Sequence, residues 1–316
     1  AVMDEVLPDA PVRQRVLSLP FELRPMVSLD RELQSKALQI FIEEVFRFYG
    51  ADPPAGRQAG AISFTQRFGA ALNLHVHFHV VAIDGLYFRP PLETELSFVP
   101  ARTPSPSDVR DVADRVHDRF IAHLERTGRI AGDHPVFDEP PTWPIVDRSG
   151  QSGWLQEDQV VPGVRAELRP GAGQEVGGSS VHAGVLIPEY AEIASEPLIR
   201  YACRPPFAAD QVRLLPSGQV AFTRRSPKPS GETHIFFEPL AFLRRLTSQT
   251  PPAGQNLARY HGILAPAACD RPLVVRRPKP TPKKRSRASH RTAPPPGPRR
   301  ELGKSPEARL SARPLG

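Results

Sequence analysis

The most regular pattern of apolar and polar positions lies in residues 73–85, where three histidines alternate with apolar residues. Alternate side chains of a β-strand point to opposite faces, so we expect His75, His77 and His79 on one face and the intervening apolar residues on the other. A buried apolar face would fix the register and gather the imidazoles in one small volume. Because imidazole is a common metal ligand, the pattern predicts a divalent metal site; the alternative is a run of partly exposed histidines on an edge strand.

Further strands are predicted on both sides of the histidines. Residues 61–67 alternate as a strand and place Gln66 on the same face as two apolar side chains. Asp84 and Gly85 form a two-residue hairpin signal because both turn positions tolerate positive φ, and residues 86–88 would begin a third strand. The whole segment is therefore predicted to be a three-stranded antiparallel meander with the histidines in its central strand.

Helical periods precede and follow this segment. Residues 11–50 are predicted to be helical, with the best-formed helix beginning near Ser28 and ending at Gly50. A second helix is predicted from Ser107 to about Arg129. Farther along, we expect strands at 181–188, 211–215, 219–225 and 233–237, helices at 189–204 and 238–246, and a last ordered segment at 258–264. Together these elements predict an α+β fold in which a central antiparallel sheet carries the histidine motif and helices flank the sheet.

Two regions differ in composition from this predicted fold. Residues 134–180 are rich in Pro, Gly, Ser and acidic residues, which is typical of a long surface insertion. Residues 276–316 are rich in Pro, Lys and Arg with almost no apolar residues, which predicts a disordered basic tail. We therefore expect one domain over residues 1–275 and a tail over the remainder.

The charge of the chain is concentrated in the predicted tail. The 316 residues carry a formal net charge of +7, from 41 Lys and Arg and 34 Asp and Glu. Residues 276–316 hold 13 of the basic and two of the acidic residues, so the first 275 residues keep 28 and 32, a net charge of −4. A nucleic-acid surface on the body of the protein must therefore be local.

Other features of the sequence bound the class of protein. Two cysteines without a CxxC spacing argue against a disulfide framework or a zinc ribbon in this chain. No apolar run is long enough to predict a transmembrane helix, and the first residues do not resemble a signal peptide. We therefore expect a protein without a membrane partner in a reducing compartment, the cytoplasm.

A local basic segment surrounds one of the five tyrosines. Residues 200–228 contain six basic residues and one acid, and Tyr201 lies between Arg200 and Arg204 on a predicted helix. Phosphate binding requires such local positive charge, so the candidate DNA-binding residues are Arg200, Arg204, Arg224, Arg225 and Lys228. The alternative is that Tyr201 is an amphipathic tyrosine at the rim of the core with solvated neighbours.

Alternating histidines on a strand do not by themselves define a reaction. A cupin site would need a Glu within a few residues of the His-x-His pair, but Val80, Val81, Ala82 and Ile83 follow His79. A His-hydrophobic-His strand can also act with a tyrosine on a separate helix to cleave single-stranded DNA. In that chemistry the metal polarises the scissile phosphate and the tyrosine oxygen attacks phosphorus.

Several short blocks occur together in an order that resembles one family. The blocks are Val-Leu-Ser-Leu-Pro at 16–20, Gln-Arg-Phe-Gly at 66–69, Leu-Asn-Leu at 72–74, His-Phe-His at 77–79, Asp-Gly at 84–85, Arg-Tyr at 200–201, Arg-Pro-Pro at 204–206, Arg-Tyr-His-Gly at 259–262 and Leu-Ala-Pro at 264–266. This combination resembles the HUH (His-hydrophobic-His) transposases of the IS-ninety-one-like insertion sequences, over roughly residues 10–270.

The resemblance implies a rolling-circle transposase that nicks single-stranded DNA at the end of a mobile element, holds the 5′ end on a tyrosine and passes it to a target. It implies that His77 and His79 bind Mg²⁺ or Mn²⁺ and that Tyr201 is the nucleophile. His75 lies where the family accepts other residues, and Gln66 on the neighbouring strand is the candidate third ligand. No second tyrosine lies a helical turn from Tyr201, which favours a single-tyrosine mechanism.

Two other functions are compatible with the same residues. The family usually begins with a Cys-rich zinc-binding module that this chain lacks, so one alternative is a truncated or decayed transposase that only binds DNA. The other is a structural zinc protein without a DNA role, which would unfold when its metal is removed.

Overall fold

The computed structural model describes residues 6–131, 134–135, 173–188, 192–225, 227, 230–251 and 253–275. Its strands are Val12–Ser18 (β1), Gly60–Phe68 (β2), Leu74–Ile83 (β3), Gly85–Phe88 (β4), Ser97–Pro100 (β5), Ile130–Ala131 (β6), His134–Pro135 (β7), Gly173–Val176 (β8), Ser179–Ile187 (β9), Val212–Leu214 (β10), Val220–Thr223 (β11), His234–Phe237 (β12) and Ala258–Gly262 (β13). Its α-helices are Arg24–Leu29 (α1), Arg31–Tyr49 (α2), Pro106–Arg126 (α3), Glu192–Ala202 (α4), Pro239–Gln249 (α5) and Arg271–Val274 (α6). The described residues form the mixed α+β fold that the sequence predicts.

The histidine strand β3 is central in the main sheet. Six of the described strands form this antiparallel sheet in the order β13-β2-β3-β1-β9-β8. Because β2 and β1 pair with the two sides of β3, the histidines do not lie on an edge strand. The prediction of a central histidine strand in an antiparallel sheet is therefore confirmed.

The first part of the predicted N-terminal helix is wrong, because residues 12–18 form strand β1. All seven residues are buried between β3 and β9. Arg13 and Arg15 give this segment a polar pattern that does not look like a buried strand. In the fold, however, Arg13 forms a buried ion pair with Asp84 (Nη2 to Oδ2, 2.7 Å), and the Arg15 guanidinium lies over the ring of Tyr49.

The remainder of that predicted helix is observed as two helices, α1 and α2. Asp30, rather than the predicted Ser28, caps α2, because its carboxylate accepts hydrogen bonds from the backbone N–H groups of Glu32 (2.8 Å) and Leu33 (3.1 Å). Gly50 ends α2 with a φ of 77°, as its position predicts. The core-covering helix is therefore correct, and only its start was misplaced.

Asp84 and Gly85 do not form the predicted hairpin, and the predicted three-stranded meander is wrong in its third strand. Strand β4 pairs with β5 in a separate two-stranded sheet. A Cβ atom at Gly85 would lie 2.3 Å from the carbonyl oxygen of Val99, so glycine is required here for the close approach of β5. Asp84 is buried by its ion pair with Arg13 and does not serve as a turn residue.

Two apolar cores lie on the two faces of the main sheet. One packs α1, α2 and α3 against the face that bears Val76, Phe78 and Val80, which we call the helix-covered face. The other packs α4 and residues 263–275 against the opposite face, which bears the histidines and which we call the histidine face. Helix α3 begins at a capping box on Ser105, which confirms the second predicted helix.

A smaller sheet, β10-β11-β12, packs with α5 beside the loop that precedes β3. Its inner face contributes Val220, Phe222 and Phe237, which pack with Phe242 of α5 and with Leu72 of that loop. The predicted hairpin, strand and short helix in this region are confirmed. The small sheet is therefore attached to the end of the sheet where the histidine strand begins.

Arg67 connects two helices, α1 and α5, to the end of β2. Its guanidinium is buried and donates hydrogen bonds to the carbonyl oxygens of Ser28 (2.8 Å), Ser248 (3.2 Å) and Gln249 (3.1 Å). These carbonyls lie at the C-terminal ends of α1 and α5, where backbone acceptors otherwise lack partners. Arg67 thereby holds α5, and with it the small sheet, against β2.

Two predictions fall mainly on residues that the structure does not describe. Of the predicted insertion at 134–180, the described residues are β7 and 173–180, which include the edge strand β8. The predicted tail at 276–316 lies wholly outside the described residues, so the tail and the domain boundary stay predictions. Within the described part of the chain, no helix has the length and apolar character needed to cross a membrane.

Candidate active site

The strand register places two rows of side chains, most of them polar, across one end of the histidine face. In the first row, the paired neighbours are Gln66, His77, Ser18 and Ser180. In the second row, they are Phe64, His79, Val16 and His182. Apolar side chains such as Ile62, Val81 and Val185 follow along the strands and enter the core under α4. The polar part of this face is therefore small and lies where β3 begins.

The three predicted histidines lie side by side on this face. The ring centroids of His75 and His77 are 4.8 Å apart, and those of His77 and His79 are 5.0 Å apart. His79 is fully buried, His77 is 8% exposed and His75 is half-buried at the edge of the group. The period-2 pattern of the sequence thus places the imidazoles together as expected.

The hydrogen bonds of His77 and His79 indicate which of their ring nitrogens carries the proton and which keeps a lone pair. The Nδ1 atom of His77 lies 2.9 Å from the carbonyl oxygen of His75; since a carbonyl only accepts, Nδ1 carries the proton and Nε2 keeps its lone pair. The Nδ1 atom of His79 lies 2.8 Å from the side-chain amide nitrogen of Gln14, and in this orientation the amide N–H donates to Nδ1 and Nε2 carries the proton. An amide can present its oxygen or its nitrogen by a flip, and with the oxygen towards the ring, His79 also has an Nε2 lone pair.

Burial keeps the three imidazoles neutral at pH 7. Burial is the largest cause that lowers the pKa of His77 to about 4; the hydrogen bond to the carbonyl of His75 raises this pKa, and the guanidiniums of Arg204 and Arg24 contribute to lowering it. Burial, followed by the charge of neighbouring groups, also holds the pKa values of His75 and His79 well below the usual 6.5. Neutral imidazole is the form that binds a metal ion.

Gln66 connects the histidine face to the tyrosine helix. Its Nε2 atom donates hydrogen bonds to the carbonyl oxygens of Tyr201 (3.2 Å) and Ala202 (2.9 Å) at the C-terminal end of α4. Its Oε1 atom is buried, with no hydrogen-bond partner among the residues described. Gln66 therefore positions α4 and leaves an acceptor on the face that it shares with His77.

Tyr201 lies against the histidines, although it is more than one hundred residues away in the chain. Its half-buried ring meets the ring of His79 edge-on, with centroids 5.7 Å apart and planes at 82°. The guanidinium carbon of Arg204 lies 4.2 Å from the centroid of the Tyr201 ring. The structure thus brings together the two halves of the site that the sequence could only place on separate elements.

The other predicted DNA-binding residues are less closely associated with Tyr201. Arg200 is exposed on α4, and Arg224 is half-buried just after β11. Arg225 donates a hydrogen bond to the carbonyl oxygen of Pro205 (3.2 Å), which joins the small sheet to the segment that follows α4. Lys228 lies outside the described residues.

Two other tyrosines of the described chain lie away from the histidines. The hydroxyl group of Tyr49 donates a hydrogen bond to Asp84 on the helix-covered face. Tyr260 lies on the edge strand β13 and is 37% exposed. Tyr201 is therefore the tyrosine that the described structure places beside His79.

Three further residues of the site were not predicted from the sequence. Gln14 bonds to His79 from β1, and a strand pattern at residues 12–18 would have pointed to it if the buried arginines had not obscured that pattern. Arg24 is buried on α1 and contributes to the lowered pKa values of His75 and His77. His182 joins the second row through the pairing of β9 with β1, a long-range contact without a local signal.

The residues of this site fit a divalent metal ion if the side-chain amide oxygen of Gln66 is one of the ligands. Among the described residues, no three His, Cys, Asp or Glu side chains are placed to hold one metal ion. The rings of His77 and His79 are nevertheless close enough to share an ion, since each metal–nitrogen bond is about 2 Å long. His79 Nε2 and Gln66 Oε1 are buried without hydrogen-bond partners among the described residues, an unfavourable state that a bound cation would relieve once Nε2 presents its lone pair.

Neutral imidazoles, a tyrosine hydroxyl and a guanidinium on one face of a sheet define a site suited to phosphate ester chemistry. A protein-family model described as "Putative transposase" matches residues 60–272, about two thirds of the chain. The chain therefore belongs to this transposase family, which indicates a DNA-processing enzyme that binds DNA and functions in transposition. No curated protein and no solved structure matches the chain.

Proposed function

We propose that this protein is an HUH transposase of the IS-ninety-one-like kind, which nicks single-stranded DNA at the end of a mobile element and transfers it by a rolling-circle mechanism. The observation that carries the proposal is the contact of the Tyr201 ring with His79, at a centroid distance of 5.7 Å. The transposase family of the chain supports the same class of substrate. The large antiparallel sheet with a central histidine strand is compatible with an HUH-type fold.

His77 and His79 are the proposed protein ligands of a divalent metal ion, with the amide oxygen of Gln66 as a third ligand and His75 as a neighbour. A bound Mg²⁺ or Mn²⁺ would supply a Lewis acid that polarises the scissile phosphate. Because Mg²⁺ prefers oxygen ligands and this set contains two imidazoles, we expect Mn²⁺ to support the reaction better.

Tyr201 is the proposed nucleophile. Its hydroxyl oxygen attacks phosphorus and forms a phosphotyrosine ester with the 5′ end, while the bond from phosphorus to the 3′ oxygen breaks. The tyrosine loses one proton and the released 3′ oxygen gains one, so the exchange of one ester for another requires no external source of energy. The same exchange in reverse, on a different 3′ hydroxyl, would join the held strand to a target.

Arg204 and Gln66 have positioning roles in this proposal. Arg204 places a positive charge over the Tyr201 ring, near the position of the phosphate under attack. The two hydrogen bonds from Gln66 fix the end of α4, which keeps the tyrosine beside the histidines. Arg200, Arg224, Arg225 and Lys228 would contact phosphates along the strand, which positions DNA without reading its sequence.

A covalent-adduct assay tests the proposal. The protein is incubated with labelled single-stranded DNA and Mn²⁺, and protein-bound label is measured after denaturation. We expect an adduct with the wild type, none with Tyr201→Phe, and an adduct with the control Tyr260→Phe, which changes an exposed tyrosine on β13. An adduct that persists in Tyr201→Phe would contradict the proposed nucleophile. DNA binding by the wild type without any adduct would favour a decayed transposase that only binds DNA.

A further inference from the structure

The small sheet has an outer face that the candidate active site does not use. Its inner face packs on α5, so the residues that alternate with the inner ones point away from the protein. The pairing places Arg213, Ala221 and Phe236 in one outward row and Thr223 and His234 in the next. We call these five residues the outer platform.

The outer platform presents an exposed aromatic ring. Phe236 is 59% exposed, whereas the neighbouring Phe237 points inward and is 7% exposed. The ring of Phe236 is nearly parallel to that of His234, with centroids 6.3 Å apart and planes at 15°. An exposed aromatic ring on the face of a sheet offers a surface on which another flat aromatic group can stack.

The shape and charge of the outer platform suit a nucleobase with its phosphate. Arg213 and Phe236 lie on the two outer strands, two strand spacings or about 10 Å apart. Ala221 lies between them and is only 6% exposed, so the surface that the platform offers is the ring of Phe236 and the side chain of Arg213. Arg213 is exposed and supplies positive charge beside the aromatic ring. An aromatic ring beside a cation is the combination with which sheet surfaces bind single-stranded nucleic acids.

The outer platform belongs to an element that is joined to the candidate active site. Arg225, which follows the middle strand of the small sheet, bonds to Pro205 just after α4. Leu72, which precedes β3, packs into the inner core of the same sheet. The small sheet is therefore attached to the elements that carry Tyr201 and the histidines.

We infer that the outer platform binds an unpaired base of the single-stranded DNA on which the candidate active site acts, with the base stacked on Phe236 and a neighbouring phosphate near Arg213. The identity of this ligand rests on the proposed function. Duplex DNA does not expose the faces of its bases, so the platform selects single strands. Stacking accepts any base, so the platform adds affinity without sequence preference.

Binding of a short labelled oligonucleotide, measured by fluorescence anisotropy, tests the inference. Phe236→Ala is expected to weaken binding of single-stranded DNA by about tenfold or more, the typical loss when one base is unstacked. Phe236→Trp keeps a stacking surface and is expected to bind like the wild type, with tryptophan fluorescence quenched by the DNA. The matched control is Leu240→Ala, because Leu240 on α5 is 61% exposed and is expected to leave binding unchanged.

Two further measurements separate stacking from charge. An oligonucleotide with abasic sites has no base to stack, so the wild type and Phe236→Ala are expected to bind it equally. Arg213→Gln is expected to weaken binding and to reduce its dependence on salt concentration, since one phosphate contact is removed. Unchanged affinity of Phe236→Ala for the intact single strand overturns the inference, as does an equal loss in Leu240→Ala.

The outcome is distinguishable from that of the adduct assay. Tyr201→Phe is expected to bind single-stranded DNA as tightly as the wild type, because binding through the outer platform does not require the hydroxyl. A protein that binds through Phe236 but forms no adduct retains the platform and contradicts the proposed nicking. A protein that forms the adduct while Phe236→Ala binds normally contradicts the platform alone.

Discussion

The two faces of the main sheet both bury polar side chains, but they leave those side chains in different states. On the helix-covered face, Arg13 is paired with Asp84 through two hydrogen bonds. The Arg15 guanidinium lies over the rings of Phe48 and Tyr49, although its Nε and Nη1 atoms have no hydrogen-bond partner among the described residues. On the histidine face, the Nε2 atoms of His75 and His79 and the Oε1 atom of Gln66 are buried without a hydrogen-bond partner among the described residues.

This difference separates polar groups that stabilise the fold from polar groups that are available to a ligand. A buried charge with a good partner contributes to the structure of the core, and removing one member of the pair leaves the other exposed to a large desolvation penalty. A buried acceptor without a partner raises the free energy of the unliganded protein. We therefore expect substitutions on the helix-covered face to change stability and those on the histidine face to change activity.

The largest effect is expected for Tyr201→Phe, which should lower adduct formation by a factor of about 10⁴ or more, because the attacking oxygen is removed. The phenylalanine ring can keep its contacts with His79 and Arg204, so the free energy of unfolding is expected to change by less than about 1 kcal/mol. Single-turnover adduct kinetics and urea denaturation check the two statements. A large loss of stability would show that Tyr201 stabilises the fold, as the polar residues of the helix-covered face do.

The next effect concerns the helix-covered face. Asp84→Ala leaves the buried Arg13 without its carboxylate and is expected to destabilise the protein by about 3–5 kcal/mol in urea denaturation. The control is Asp52→Ala, which breaks the exposed ion pair with Arg57 and should cost less than about 1 kcal/mol. Equal effects of the two substitutions would contradict a structural role for the buried pair.

A smaller effect is expected for substitutions of Gln66. This residue both holds α4 in place and faces the histidines, so it combines a structural and a functional role. Gln66→Leu removes the hydrogen bonds to α4 and is expected to slow adduct formation by about 10–100-fold. Gln66→Glu keeps an oxygen towards the histidines, and as a metal ligand it should bind Mn²⁺ more tightly in isothermal titration calorimetry. If Gln66→Glu instead binds Mn²⁺ no better than Gln66→Leu, Gln66 acts through position alone.

The smallest effect is expected for the pH dependence of stability contributed by His261, a histidine on the helix-covered face that has a hydrogen-bond partner. The Nε2 atom of His261 lies 2.8 Å from the hydroxyl oxygen of Ser63, and burial lowers the pKa of His261 to about 4. The unfolded chain, with a histidine pKa near 6.5, therefore binds more protons between pH 6.5 and 4. The contribution of this residue is complete above pH 6.5 and is lost as the pH falls to about 4.

Comparison of the wild type with His261→Gln isolates this contribution from the other buried histidines. The pH-dependent difference in unfolding free energy is expected to be about 1–2 kcal/mol, allowing for the partial exposure of the ring. Denaturation curves at several pH values measure it. A difference that grows towards neutral pH instead would reverse the predicted sign.

The sequence predicted those parts of the site that depend on local periodicity. Alternation placed the three histidines on one strand face, and the local charge around Tyr201 singled out that tyrosine. The contact between them depends on hydrogen bonds from Gln66 to carbonyl groups 135 and 136 residues away, for which no local pattern exists.

The predictions from the sequence were wrong at positions where a polar residue has a partner far away in the chain. Arg13 and Arg15 made β1 look like an amphipathic helix because their partners lie on other elements. Asp84 and Gly85 looked like a turn, but one is a partner of Arg13 and the other admits β5. Burial of a charged side chain becomes understandable only when its partner is known.

Gln66 and Arg67 are covalent neighbours whose side chains leave β2 in opposite directions. Gln66 holds the helix that carries Tyr201, and Arg67 holds α5, on which the small sheet rests. If Tyr201 and Phe236 have the proposed roles, this dipeptide fixes the distance between the nucleotide that stacks on Phe236 and the phosphate that Tyr201 attacks. The place of cleavage would then be set by a length of DNA strand measured from the bound base.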